Sequence, residues 1–128
     1  MNEVTSEWVT KADSDFYSAD VLLHSGDVPL IDTACFHCQQ CAEKYVKARL
    51  EEAGVRIPKT HDLGELLKLA LPFAPLWSAL QPALRSLSQY AVAFRYPGDE
   101  ATDAEVKSAL TNCKAIRKEV RLTFGLKA

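Results

Sequence analysis

The stretch LIDTACFHCQQCAEKYVKARLEEA, residues 30–53, decides the fold. Ala34, Cys35, Cys38, Ala42, Tyr45 and Val46 recur every three or four residues, the spacing that lines one side of an α-helix. No strand-like alternation competes with it. The spacing predicts a helix from about Leu30 to Ala53. Gly54 stops it, because glycine readily takes the left-handed conformation that closes a helix.

The same period continues on both sides. Upstream, Trp8, Ala12, Phe16, Ala19 and Leu23 form one stripe and Glu7, Lys11, Ser14 and Ser18 another. A helix is expected from about Ser6 to Ser25, ended by Ser25-Gly26-Asp27. Downstream, Thr60 or Asp62 is placed to cap a short helix bearing Leu63, Leu66, Leu67, Ala70 and Leu71. Pro72 and Pro75 break that pattern. Leu76, Leu80, Leu84, Leu87, Ala91 and Phe94 then predict a fourth helix, which Pro82 either kinks or begins. Tyr96-Pro97-Gly98 signals a turn. Thr102 and Glu105 form a capping box before a last helix with Val106, Ala109, Leu110, Cys113, Ile116 and Val120 at core spacing. The fold expected is all-α: an up-and-down four-helix bundle with an extra short helix, one domain over residues 1–128.

Composition agrees with a packed domain. At 128 residues, 48% hydrophobic and 25% charged, the chain can bury a core without disulfides or metal. The net charge of −2 excludes a polycation built to coat nucleic acid, but the charge is uneven. Residues 1–32 hold seven acids and one base, whereas residues 33–128 hold fourteen bases and ten acids. An anionic partner should prefer the later part of the chain. Residues 1–8 lack the basic and apolar regions of a signal peptide, and no apolar run suits a membrane span. A cytoplasmic location is expected, with Cys35, Cys38, Cys41 and Cys113 reduced.

Chemistry is sparser. Each helical residue turns the direction by about 100°, so His37, Gln40, Cys41 and Lys44 share one sector. Imidazole, amide and ammonium together suit a phosphate or a base. The same residues also suit buried polar contacts between helices. Cys35, Cys38 and Cys41 have zinc-like spacing, but they sit mid-helix where thiols usually fill cores, so no metal and no cofactor is expected. Lys59 and His61 flank a helix entrance, a natural anion site that is equally explained by capping. Arg95 and Tyr96 could meet a phosphate and a base. Lys107, Lys114, Lys118 and Arg121 share a face of the last helix, either as a solvated face or as a phosphate-tracking stripe. There is no Gly-rich phosphate loop, zincin motif or nucleophile elbow.

Three segments in order, ACFHCQQCAEK at 34–44, PKTHDL at 58–63 and Tyr90 through Arg95-Tyr96-Pro97, resemble the HEPN domain, named for nucleotide binding in higher eukaryotes and prokaryotes. The resemblance spans roughly Trp8 to Val120. It implies a helical bundle, usually a homodimer, and for small prokaryotic members a nucleotidyltransferase partner in toxin–antitoxin-like pairs. It implies nucleotide or RNA binding, and the residues singled out above would then serve it, with Lys44, Lys59 and Arg95 on phosphates, His37, Gln40 and His61 in polar contacts, and Tyr96 stacked on a base. Many HEPN proteins are metal-independent RNases that carry an Arg and a His separated by four to six residues. Arg95 matches the arginine, the one candidate catalytic residue, but Glu100, Ala101 and Thr102 fill the places of the histidine. The expected protein is therefore a non-catalytic, or at most weakly catalytic, binder. The alternatives are an RNase using Arg95 with another acid–base group, or a structural module without ligand. A homodimer also fits Phe73, Leu76 and Trp77, which lie among prolines where the bundle's own core is not expected to cover them all.

Overall fold

The computed structural model describes residues 1–25, 29–94 and 96–128. Among these residues five helices follow in order: α1 (Glu3–Leu23), α2 (Pro29–Glu52), α3 (Leu63–Ala70), α4 (Gln81–Ser88) and α5 (Asp103–Thr123). Single 3₁₀ segments at Pro75–Leu80 and Gln89–Ala91 bracket α4. No strand occurs among the described residues. The all-α bundle read from the sequence is what the chain forms.

Helix ends follow local chemistry. The Asn2 side chain accepts from Thr5 N at 2.7 Å and opens α1. Gly26 and Asp27, expected to end that helix, lie outside the described residues. α2 closes as a Schellman turn: Gly54 has φ +72°, Val55 N donates to Leu50 O at 3.0 Å and Gly54 N to Glu51 O at 3.1 Å. Of the two residues able to cap α3, Asp62 does so, accepting from Gly64 N at 2.9 Å and Glu65 N at 3.2 Å. The fourth helix is shorter than its apolar run. Pro82 sits in its first turn, where the missing N–H is harmless, so the helix begins there and is not kinked. Leu76 belongs to the preceding 3₁₀ segment and is 81% exposed, which corrects its place in the expected core row.

α2 is the central element, packed against α1, α3, α4 and α5. Thr5 pairs with Glu52 and Asp15 with His37, so α1 and α2 run antiparallel. Leu63 N donates to Ser88 Oγ, so α3 and α4 form an antiparallel hairpin. The core row of α1 is Thr5, Val9, Ala12, Asp15 and Ala19: Ala12 and Ala19 are buried as expected, whereas Trp8, Phe16 and Leu23 pack only partly buried at its edge and Val9 and Asp15 take the central places. The expected core positions of α2 are all buried, as are those of α5 apart from half-buried Leu110. All four cysteines are free, buried thiols, and burial pushes Cys35 up to about 12. Among the described residues no helix is long and apolar enough to cross a membrane.

Candidate functional site

α2 carries more polar groups than a central helix usually buries. Gln39, Glu43 and Lys47 are at most 9% exposed, and α1 adds Asp15 at 8%. A buried charge survives only if paired and hydrogen-bonded. Here the pairing organises two clusters.

The first joins α1 to α2. Asp15 Oδ1 accepts from His37 Nδ1 at 2.8 Å, and Oδ2 accepts from Lys44 Nζ at 2.6 Å. Burial pushes the Asp15 carboxyl up, but the hydrogen bonds from His37 and Lys44 outweigh it and hold the group below its ordinary value. The second joins α2 to the loop before α3. Glu43 Oε1 accepts from His61 Nδ1 at 2.8 Å and Gln39 Nε2 at 3.1 Å, while Oε2 accepts from Lys47 Nζ at 3.1 Å. Burial again opposes ionisation and the three donors again prevail, His61 foremost. An ionised carboxylate only accepts, so Nδ1 carries the proton in each pair and Nε2 is left for an outside partner. The His61 ring is 70% exposed and the His37 ring 28%.

The predicted sector is therefore divided. His37 and Lys44 meet on Asp15, as their shared face implied. Gln40 turns the other way and donates to Gln39 Oε1 at 2.7 Å, which links it to the Glu43 cluster. Cys41 is fully buried in the core. Lys59 is exposed beside a separate cavity with Arg56, Pro58 and Leu69. Tyr96 is exposed in the turn, where Asp99 N donates to its carbonyl at 3.1 Å. Arg95 lies outside the described residues. Phe94 just before it has φ +62°, strained for a bulky side chain, and stacks on Tyr90 with ring centroids 5.7 Å apart. The three positions due to hold a histidine lead into α5: Thr102 caps it, and Ala101 N donates to Asp32 Oδ1 at 2.7 Å.

His37 opens onto a shallow groove of about 800 Å³ between α1 and α2, lined also by Thr10, Ser14, Tyr17, Ser18 and Thr33. Four hydroxyl groups, the Asp13 carboxylate and an imidazole edge surround the Tyr17 ring, which is 57% exposed. Tyr17 is braced by Arg117, whose Nη2 lies 3.4 Å from its hydroxyl. Arg117 also covers Phe16 at 4.7 Å from the ring centre. Beside it, Asp13 accepts from Arg121 Nη1 at 2.9 and 3.0 Å and from the Tyr45 hydroxyl. Arg121, predicted to lie on a basic face, is thus tied to α1. Among the described residues no three His, Cys, Asp or Glu side chains are grouped to hold a metal.

Sequence reading missed Asp15, Glu43 and Tyr17. The signal for Asp15 was present, since it falls three residues after Ala12 and four before Ala19, on the buried row. Gln39, Glu43 and Lys47 follow each other at four-residue steps, a ladder of the kind helices use for side-chain pairs. Tyr17 carries no local mark, since its value comes from facing Thr33 and His37 across the helix pair.

No curated protein matches the chain. A crystal structure of an archaeal HEPN homologue superposes with a TM-score of 0.75 at 22% identity, covering 96% of this chain and 98% of that one. That likeness concerns the fold. The HEPN domain family matches residues 5–123, nearly the whole length. The chain belongs to the HEPN domain family, one associated with nucleotide and RNA binding.

Proposed function

We propose that this HEPN domain binds a nucleotide or RNA in the α1/α2 groove, and that it works as the non-catalytic, homodimeric member of a toxin–antitoxin-like pair with a nucleotidyltransferase in the cytoplasm. The observation that carries the binding reading is the groove itself. An exposed Tyr17 ring offers a stacking face, with hydroxyls and the free edge of His37 around it. Lys44 does not line the groove; it supports it from behind by sharing Asp15 with His37, which fixes the imidazole that does. The α5 entrance speaks against the family's RNase chemistry. A histidine at 102 would displace the cap, and the residues present supply no imidazole for proton transfer there.

Calorimetric titration with ATP tests it. Stacking on an aromatic ring is worth about 1–3 kcal/mol, so Tyr17→Ala should weaken binding by about tenfold. His37→Asn should weaken it as well. Unchanged affinity in both variants removes the groove as the site.

A second reading draws on the two carboxylate-held histidines, an arrangement that orients an imidazole for acid–base work. His61, with its second nitrogen outward, would then serve Arg95 as the proton-transfer partner. Cleavage of mixed RNA in EDTA should vanish in Arg95→Ala and in His61→Ala. Absence of cleavage by the wild type disposes of this reading.

A further inference from the structure

The basic face of α5 is not used by the groove. Lys107, Lys114 and Lys118 fall within about 40° of one another around the helix, on the side away from Val106, Ala109, Cys113, Ile116 and Val120. From Val106 to Lys118 the chain has no acid. All three lysines are exposed, and none makes an ion pair among the described residues.

Their neighbours make this costly. Lys114 and Lys118 stand four residues apart, as do Arg117 and Arg121, and like charges at that spacing repel by a few tenths of a kcal/mol in a helix. Asp13 answers the two arginines, at 3.8 Å from Arg117 Nε and 2.9 Å from Arg121 Nη1. Nothing answers the lysines. The less exposed lysines of α2 behave differently: Lys44 and Lys47 each have a carboxylate. A row of unanswered like charges on one ridge, about 16 Å from Lys107 to Lys118 at 1.5 Å per residue, is too long for one phosphate group. It suits a repeating anion. Tyr17 of α1 meets α5 through Arg117, which lies between Lys114 and Lys118 in the chain, and the same ring lines the groove.

We infer that the α5 ridge of Lys107, Lys114 and Lys118 tracks the backbone of a single-stranded polynucleotide whose base stacks on Tyr17, so that the groove's ligand is an extended strand and not a mononucleotide. This rests on the nucleotide reading of the groove and extends it to a second surface. Phosphates along the lysines supply affinity that depends on salt, and the aromatic ring favours an unpaired base.

The test is the double variant Lys114→Gln/Lys118→Gln, titrated with a fluorescein-labelled oligouridylate of about a dozen nucleotides over a potassium chloride series. Each phosphate contact on a single strand contributes about 0.7 to the slope of log affinity against log salt, so the slope should fall by about 1.4 and binding should weaken. ATP affinity should stay at its wild-type value. Removing the repelling lysines should not lower the melting temperature, which excludes misfolding as the cause. An unchanged slope overturns the ridge, as does failure of the wild type to bind the strand. Equal binding of polyglutamate, with the same loss in the variant, overturns the nucleic-acid assignment in favour of an acidic protein partner. If the lysine variant loses the strand while Tyr17→Ala and His37→Asn change nothing, the lysines hold the strand, but the groove reading and the stacking on Tyr17 both fail. If Tyr17→Ala loses ATP while the lysine variant keeps the strand, the groove stands and the ridge fails.

Discussion

Asp15 keeps its charge at 8% exposure because two donors from α2 meet it, one on each oxygen. Replacing it with asparagine keeps the shape and removes the anion, leaving Lys44 partly buried without a counter-charge. Hydrogen bonds to charged groups contribute roughly 1.5–3 kcal/mol, so Asp15→Asn should destabilise the fold by about 2 kcal/mol in urea unfolding. The pH dependence has a definite sign. Asp15 and Glu43 are held below their ordinary values of 3.8 and 4.5. Their contribution is therefore complete above those values and is lost as pH falls through the lower folded-state values. Stability of the wild type should decline below about pH 4, and Asp15→Asn should decline less steeply there. An identical acid limb in both proteins would mean that the pair does not respond to protonation. His37 and Lys44 were legible because one helix sets their common direction. Their anchor was not, because it depends on how α1 registers against α2, and a single helical period says nothing about that.

Among the elements, α5 shows what is legible and why. Its start is written in four consecutive residues. Thr102 Oγ1 accepts from Glu105 N and Glu105 Oε1 from Thr102 N, both at 3.1 Å. Such a box is local, so sequence reads it directly. Loss of an N-cap hydroxyl costs about 1 kcal/mol, and Thr102→Ala should lower the urea midpoint accordingly, while Thr102→Ser restores it. A Thr102→Ala protein as stable as wild type would mean that the Ala101–Asp32 bond alone seats the helix. α4 was harder to read. Six apolar positions at helical spacing promised a long helix, yet Pro82 and two 3₁₀ segments confine it to Gln81–Ser88. A 3₁₀ turn repeats nearly as an α-helix does, so over one or two turns spacing cannot separate them. The consequence is a tight path that buries Trp77 while turning Leu76 outward.

On the scale of the whole molecule, the proline-flanked apolar group separates into two kinds. Trp77 is 1% exposed and donates from Nε1 to Thr123 Oγ1 at 3.0 Å, so it belongs to the bundle's own core. Phe73 is 42% and Leu76 81% exposed. Composition showed an apolar surplus, but not which of the three side chains the core would take. A second exposed apolar group, Tyr17 and Val21 at 57% and 68%, lies on the proposed groove. The homodimer proposed for this family member can use one of these surfaces but not the groove, if the groove is to admit a ligand. Light scattering at working concentration should therefore give twice the chain mass. Leu76→Asp should return a monomer of unchanged melting temperature, since an exposed leucine contributes little to its own chain. Val21→Asp should remain dimeric. A monomeric wild type ends the dimer reading. Dissociation by Val21→Asp, with Leu76→Asp still dimeric, would place the partner chain on the groove and take away the surface on which nucleotide binding was argued.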